Sequence, residues 1–308
     1  MRRDFIRQTI YEMEQNPNIV FLTGDLGFNA LEAIRDKFPE RFINVGIAES
    51  HMMGMAAGLA LEGKKVIAYS IASFATMRPY EQIRTGICYD SLDVKIVGTG
   101  GGFNYATHGV THHTLEDVAI MNVLPNMKVY APGYSWEAIE ATKCMLRTHG
   151  PAYIRLGKSP GINYEKASFR FESGRGYCVR EGSDIVLVST GNILDIVMKT
   201  AEILSGKTKM SVCVISMPNI KPIDEKIILK KAARAKGIFT IEEHSLIGGL
   251  GDIVSRILHA SKHTTKKFHA FGIEDTFVTL VGDREFLLAS VGIEAKSLGK
   301  KILKVLGK

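Results

Sequence analysis

One stretch, residues 41–63, constrains the fold of this chain more than any other, and it reads RFINVGIAESHMMGMAAGLALEG. A short strand is predicted at 42–45, followed by a helix that begins at about Ala48. The helix is apolar on nearly every side, and such a helix must be buried over most of its surface. Gly54 and Gly58 lie four residues apart on one face, where each costs about 1 kcal/mol relative to alanine. This pattern indicates close approach of another helix or of a ligand.

One carboxylate, Glu49, stands in the first turn of this apolar helix. Burial disfavours the ionised form of a carboxyl group, whereas the positive end of a helix favours it. The pattern therefore leaves two interpretations open. Glu49 either stabilises the helix dipole as a first-turn acid or serves as a functional carboxyl group in a buried site.

The segment VGIAESHMMGMAAGLA around Glu49 closely resembles the pyrimidine-domain signature of the transketolase family of thiamine diphosphate enzymes. That family includes transketolase, deoxyxylulose-5-phosphate synthase and the β-chains of 2-oxo-acid dehydrogenases, and the likeness extends over nearly the whole chain. The resemblance implies that Glu49 is both catalytic and cofactor-binding, because it hydrogen-bonds a ring nitrogen of the aminopyrimidine of thiamine diphosphate. The cofactor supplies the difficult chemistry and the protein supplies its placement.

Length and composition indicate a soluble globular protein. The 308 residues are 45% hydrophobic and 23% charged, which is sufficient for two domains with their own cores. No apolar run approaches the ~18 residues of a membrane span, and the N-terminus has no secretory signal core. The four cysteines are scattered singly, as expected of free thiols in a reducing cytoplasm.

The net charge of +7 does not by itself indicate a nucleic-acid partner. Residues 1–157 carry 15 basic against 16 acidic side chains, and residues 158–308 carry 24 against 16, so the surplus lies in the second half. No aromatic residues interleave with these lysines and arginines. We therefore expect a solvated basic face rather than a nucleic-acid site.

The alternation of strands and helices predicts two α/β domains with parallel-rich sheets flanked by helices. The resemblance implies a pyrimidine-binding domain at 1–157 and a transketolase C-terminal domain at 183–308. A linker is predicted at 158–182, which is rich in glycine, serine and charge. Within the second domain, the run 242–251 looks like a family motif, and we expect it to be structural and remote from the chemistry.

Two stretches of the first domain supply candidate cofactor contacts. Asp25 follows a predicted strand at 19–22, at the sheet edge where open α/β sheets bind ligands; it either caps the next helix or, as the resemblance implies, lies near the cofactor. Phe74, Met77 and Tyr80 are spaced by three and would share one face of a helix, which is a core stripe by default. In transketolases three aromatics at this spacing surround the aminopyrimidine. Phe74 and Tyr80 are therefore cofactor-binding candidates, and Met77 departs from the family pattern.

A glycine-rich loop at 98–102 leads into three histidines within six residues. A dinucleotide fingerprint does not fit, because its third glycine would fall on Phe103. The histidines could ligate a metal, but no carboxylate or cysteine completes a familiar spacing, and we assign no metal ligand. The family motif D-G-x-T-H-Q falls on residues 108–113. The resemblance makes His112 a catalytic and substrate-binding residue, and it makes His108 a substrate-binding residue where many members have an aspartate.

Arg155 ends a predicted strand, where an arginine is often a salt-bridge partner. It also matches the family's sugar-phosphate arginine, whose planar fork suits a dianion. The resemblance therefore implies substrate binding by Arg155. Arg2 or Arg3 could supply a second contact of this kind, and we take Arg2 as the further candidate. A further phosphate ligand of the family, a histidine, is replaced by Gly100 here.

Full-length members hold Mg²⁺ and the diphosphate through Gly-Asp-Gly and a later asparagine in a preceding domain, and no Gly-Asp of this chain is followed by glycine. The resemblance therefore implies one subunit of a split transketolase, which moves a two-carbon ketol unit between sugar phosphates. It would need an N-terminal subunit for Mg²⁺ in an α₂β₂ assembly, with a homodimer contact through the pyrimidine domain. The alternatives are a deoxyxylulose-phosphate-synthase-like enzyme, a 2-oxo-acid dehydrogenase β-like subunit, or a non-catalytic binding subunit.

Overall fold

The computed structural model describes residues 1–27, 29–157, 171–261 and 267–308, which form two units of α/β structure. The strands of the first half are β1 (Ile19–Thr23), β2 (Phe42–Asn44), β3 (Lys65–Ile71), β4 (Val94–Thr99), β5 (Lys128–Tyr130) and β6 (Ala152–Leu156). Its α-helices are α1 (Arg2–Gln15), α2 (Glu32–Lys37), α3 (Glu49–Leu61), α4 (Ala72–Thr76), α5 (Asp117–Val123) and α6 (Ser135–Arg147). A π-helix spans Gln82–Cys88.

The second half repeats the same rhythm. Its strands are β7 (Tyr177–Arg180), β8 (Ile185–Ser189), β9 (Val212–Ser216), β10 (Asn219–Lys221), β11 (Gly237–Ser245) and β12 (Phe268–Ile273). Its helices are α7 (Leu194–Thr208), α8 (Glu225–Ala232), α9 (Leu250–Ala260), α10 (Arg284–Ser290) and α11 (Ala295–Leu306). Within the described ranges, no helix is both long and apolar enough to cross a membrane.

The two sheets confirm the predicted fold class of two parallel-rich α/β units. The first has the order β10-β5-β6-β4-β3-β1-β2, with β10 antiparallel to β5, and the second has the order β12-β11-β8-β9-β7, with β7 antiparallel to β9. Strand β7 lies inside the range predicted as a linker, and β10 from the second half completes the first sheet. The two units are therefore more closely joined than the predicted division implies. Residues 158–170 of the predicted linker lie outside the described residues.

The candidate residues collect at the carboxyl edge of the first sheet. Strands β1, β3 and β4 are parallel neighbours, so their carboxyl ends reach the same edge. Strands β1 and β4 are buried along their whole length, as expected when helices cover both faces of a parallel sheet. The loops after these strands meet where open α/β sheets bind ligands.

Helix α3 is buried on one side only within this chain. Met52, Met53 and Ala56 are fully buried in the core. At Gly54 and Gly58, by contrast, an added Cβ would meet no atom within 4 Å. The expectation that this helix is buried on most sides is therefore wrong for the single chain, because the face that carries both glycines stays uncovered.

Candidate active site

Glu49 begins α3 with its side chain only 3% exposed. The Ser70 hydroxyl donates to Glu49 Oε1 at 3.4 Å, and Arg78 donates to Glu49 Oε2 at 2.8 Å. The loop after β1 borders the carboxylate as well, since a Cβ at Gly24 would lie 3.8 Å from Glu49 Oε1. The Glu49 carboxylate is thus nearly closed off from solvent beside the sheet edge. Among the described residues, Arg78 is the one cationic side chain that donates a hydrogen bond to it.

Arg78 links Glu49 to Phe74. The central carbon of its guanidinium lies 3.8 Å from the centroid of the Phe74 ring, while its Nη1 donates to Glu49. The Arg78 side chain is 46% exposed, so it closes the outer side of the site rather than its floor. A flat, hydrogen-bonding cation therefore lies in contact with both the buried carboxylate and the aromatic ring.

The predicted helical face of Phe74, Met77 and Tyr80 is wrong. Helix α4 ends at Thr76, before Pro79, and Met77 is exposed. The Tyr80 hydroxyl donates to the carbonyl of Ile120 at 2.8 Å, and its ring packs against the core. Phe74 therefore contacts Arg78 at the site, whereas the Tyr80 hydroxyl anchors its ring to the Ile120 carbonyl, and cofactor binding by Tyr80 stays a prediction.

His112 also lies against the Phe74 ring. The two ring centroids are 5.0 Å apart with an edge-to-face angle of 64°, and His108 lies 4.9 Å from His112. The Thr111 hydroxyl is 3.0 Å from His112 Nδ1, and Ser73 donates to the Thr111 carbonyl at 3.3 Å. The structure therefore brings together both predicted histidines and the aromatic ring that contacts Arg78.

Arg155 is buried beneath the glycine-rich loop. Its Nη2 donates to the carbonyls of Thr114 and Glu243 at 3.0 and 2.8 Å, and its Nε lies 3.4 Å from the Asp117 carboxylate. A Cβ at Gly101 would collide with Arg155 Nε, so the loop covers it closely. These contacts give Arg155 a structural role in this chain. They occupy Nη2 and Nε of the guanidinium, and the contact with a sugar phosphate stays a prediction.

Arg2 lies near the buried Tyr69 and the half-buried Tyr105. Burial raises the pKa of Tyr69 to about 12, and the positive charge of Arg2 opposes this rise. Burial also raises the pKa of Tyr105, again against the charge of Arg2. Because Tyr105 contacts both His108 and His112, Arg2 reaches the surroundings of the histidine loop.

Asp25 does not cap the following helix. Helix α2 has Leu31 at its N-cap, without a capping side chain, and Asp25 Oδ1 instead accepts a 3.1 Å hydrogen bond from Asn44. The capping interpretation is therefore wrong. Asp25 lines a cavity of about 260 Å³ together with Thr23, Gly27 and neighbouring residues, next to the loop that borders Glu49.

Sequence reasoning missed Arg78, although a signal was present. Arg78 follows Phe74 by four residues, the spacing that places two side chains on the same face of a helix. An arginine at this distance from an aromatic predicts a cation–π contact. Nothing in the pattern indicated that the same guanidinium would also reach Glu49.

The residues present fit the aminopyrimidine of thiamine diphosphate. The flat guanidinium of Arg78 contacts the Phe74 ring and donates a hydrogen bond to Glu49. The family resemblance assigns the same two contacts to the pyrimidine ring. The described residues contain no cluster of three or more histidine, cysteine or carboxylate side chains arranged for a metal ion.

Two family profiles match the chain, and their borders follow its two units. The transketolase pyrimidine-binding domain matches residues 3–161, and the transketolase C-terminal domain matches residues 174–298. The chain therefore belongs to the transketolase family. Within that family it corresponds to the C-terminal section of a split transketolase.

Three relatives support this assignment. A putative transketolase C-terminal section of Methanocaldococcus jannaschii is 37% identical, over 100% of this chain and 96% of its own length. The 6-deoxy-6-sulfo-D-fructose transketolase subunit of a Clostridium species is 31% identical, over 97% and 92%. A solved structure of a split gene transketolase, an inactive beta4 tetramer, superposes with a TM-score of 0.88 at 35% identity, over 99% of this chain and 98% of that one.

Proposed function

We propose that this chain is the subunit of a thiamine diphosphate-dependent transketolase that holds the aminopyrimidine half of the cofactor, and that the assembled enzyme moves a two-carbon ketol unit between sugar phosphates. One observation carries the proposal: Glu49 and Phe74 together hold a flat, hydrogen-bonding group, the Arg78 guanidinium, and His112 lies against the same Phe74 ring. This grouping of a buried carboxylate, an aromatic ring and an imidazole suits a planar heterocycle beside a proton-transferring side chain.

Each residue has a distinct task. Glu49 would hydrogen-bond a nitrogen of the pyrimidine ring, and Phe74 would pack against that ring. The imidazole of His112 can hold or accept the proton of a substrate hydroxyl, with the Thr111 hydroxyl beside its Nδ1. His108 contacts the same substrate from the exposed side. When bound, the thiazolium ring of the cofactor supplies the nucleophile for the two-carbon unit.

Arg78 would have to move for the pyrimidine to bind, because the proposed contacts of the pyrimidine are those that Arg78 makes with Glu49 and Phe74. In the cofactor-free chain the ion pair compensates the buried Glu49 carboxylate, which matters because an unpaired buried charge is costly.

The missing half of the site comes from a partner. Mg²⁺ prefers hard oxygen ligands, and we assign these to an N-terminal transketolase-type subunit in an α₂β₂ assembly. The solved split-gene relative is an inactive tetramer of β chains alone, which supports dependence on a second chain. The uncovered face of α3, with Gly54 and Gly58, supplies the surface for the homodimer contact.

The direct test of the pyrimidine assignment is Glu49→Gln, with Glu62→Gln as the matched control at the exposed end of the same helix. In the assembled enzyme, Glu49→Gln should lower turnover at least ~10²-fold at saturating cofactor, the scale of a lost acid–base group. Glu62→Gln should leave turnover unchanged. Near-normal turnover of Glu49→Gln would remove Glu49 from the cofactor site.

A further inference from the structure

A carboxylate of the second unit reaches into the loop that leads to the histidines. Glu243, at the end of β11, is 3% exposed, and its Oε1 accepts a 2.7 Å hydrogen bond from the backbone N–H of Phe103. A Cβ at Gly102 would lie 2.5 Å from the Glu243 carboxyl group, and Gly102 has φ +68°. Glycine is required there for both reasons, since other residues rarely adopt this φ.

Arg284 holds Glu243 in place. Its Nε lies 3.1 Å from each carboxylate oxygen and its Nη2 donates to Oε2 at 2.6 Å. The same Nη2 donates to the carbonyl of Asn192 at 3.2 Å. A forked arginine–carboxylate pair fixes orientation as well as distance. The carboxylate therefore presents one defined oxygen to the loop.

The position of Phe103 is transmitted to the histidine segment through the backbone. Gly102 and Thr114 exchange two hydrogen bonds, of 2.8 and 3.0 Å, and the Phe103 ring lies edge-on to His113 at 5.1 Å. His112 is only two residues from Thr114. Any displacement of the 102–103 backbone must move this segment as well.

The end of β11 also holds the other side of the loop. The N–H of Ser245 donates to the carbonyl of Leu115 at 2.7 Å, and Arg155 bridges the carbonyls of Thr114 and Glu243. Both ends of segment 102–115 are thus fastened to the same strand of the second unit. The expectation that the 242–251 motif lies far from the candidate site is therefore wrong, because Glu243 and Ser245 contact the segment that carries His112.

We propose that Glu243 is a positioning residue for His112: paired with Arg284, it fixes the loop that presents the imidazole beside Phe74. The effect on catalysis rests on the proposed function. The rigidity of the loop, by contrast, is a property of the cofactor-free chain and can be measured in the absence of cofactor. Loss of the contact should loosen segment 99–116 and lower kcat, with little effect on cofactor affinity.

The test is hydrogen–deuterium exchange with mass spectrometry on the full chain, comparing Glu243→Gln with Glu137→Gln. Glu137 is a matched control, because it is also buried and also bridges the two units, accepting from Gly133 N at 2.7 Å and Ser216 Oγ at 2.6 Å. Glu243→Gln should raise exchange at 99–116 at least tenfold. Glu137→Gln should leave that segment within twofold of the wild type.

Unchanged exchange at 99–116 in Glu243→Gln, or equal acceleration in both variants, would overturn the proposal. If Glu243→Gln does not fold, Arg284→Lys keeps the charge but loses the forked contact, and exchange at 99–116 should rise at least threefold.

In the assembled enzyme, Glu243→Gln should lower kcat about tenfold at an unchanged cofactor Kd. A loosened loop with normal kcat would overturn the positioning role, whereas absence of ketol transfer by the wild type would count against the proposed function alone.

Discussion

Arg78 donates a 2.8 Å hydrogen bond to the buried carboxylate of Glu49 while its guanidinium stacks on Phe74. The planar guanidinium thereby contacts the Glu49 carboxylate and the Phe74 ring, which are the two groups that the proposed function assigns to a planar heterocycle. Under the proposed function, this arrangement would be the cofactor-free form of the site, in which Arg78 keeps the Glu49 carboxylate paired.

Removing Arg78 should therefore strengthen pyrimidine binding. The Arg78–Glu49 bond is half-exposed on the arginine side, so its loss is worth about 1 kcal/mol rather than the value of a fully buried pair. Arg78→Met should lower the Kd for thiamine about fivefold by calorimetry. Arg84→Met, which removes an exposed positive charge six residues further on, should not change it. A weaker affinity in Arg78→Met would show instead that Arg78 contacts the bound cofactor.

Substitution of Arg155 should affect stability first. Arg155→Met would leave the Asp117 carboxylate and two carbonyls without their shared donor, and loss of one partner of a buried pair costs roughly 3 kcal/mol. Arg147→Met, at a half-exposed ion pair with Glu12, should cost about 1 kcal/mol or less. Denaturant unfolding measures both. Normal stability with a 10–100-fold higher KM for phosphorylated sugars, on the order of losing a charged hydrogen bond, would support the sugar-phosphate role instead.

Glu137 should make stability depend on pH. Burial raises the pKa of Glu137 from 4.5 to about 7, against hydrogen bonds from Ser216, Gly133 and Tyr134. The folded chain therefore keeps a proton that the unfolded chain releases above pH 4.5, so this contribution to stability is full below pH 4.5 and is lost as pH rises through 7. From pH 5 to 8, the free energy of unfolding of Glu137→Gln should rise relative to the wild type by about 2–3 kcal/mol. A difference that is constant with pH would contradict the raised pKa.

The glycine face of α3 should control self-association. An added side chain at Gly58 meets no atom of its own chain, so Gly58→Leu should leave the fold intact and block a close helix contact between two copies. Gly206→Leu, at an equally open glycine of α7, is the control. Sedimentation analysis should show a smaller assembly for Gly58→Leu alone. If both variants match the wild type, the contact lies elsewhere.

The fold could be predicted because its signals are local. The helix that begins near Glu49 and the alternation of strands and helices follow from the pattern of apolar residues. The histidines at 108–113 could be singled out because the segment resembles a family motif. The shared face of Phe74 and Tyr80 was mispredicted because the helical spacing was extended across Pro79, and proline interrupts a helix that would otherwise continue.

The contacts that organise the site could not be predicted in the same way. Glu243 accepts a hydrogen bond from Phe103, which is 140 residues away in the sequence. Apolar periodicity predicts single helices and strands, but it does not predict a contact between residues that are so far apart in the chain. The burial of Arg155 depends on the loop that closes over it, since Gly101 leaves the room its guanidinium occupies. A strand-ending arginine alone is equally compatible with a ligand contact and with a structural one.

The central claim is that this chain holds only the pyrimidine half of a shared cofactor site. Its most direct test is calorimetry of thiamine diphosphate with Mg²⁺, on the purified chain alone and after mixing with an N-terminal transketolase-type subunit, followed by a ketol-transfer assay on both samples. The chain alone should bind weakly, with a Kd in the high micromolar range or above, equivalent to about −5 to −6 kcal/mol, and should show no turnover. The mixture should bind at least tenfold more tightly and turn over. Tight, Mg²⁺-dependent binding or ketol transfer by the chain alone would contradict the claim.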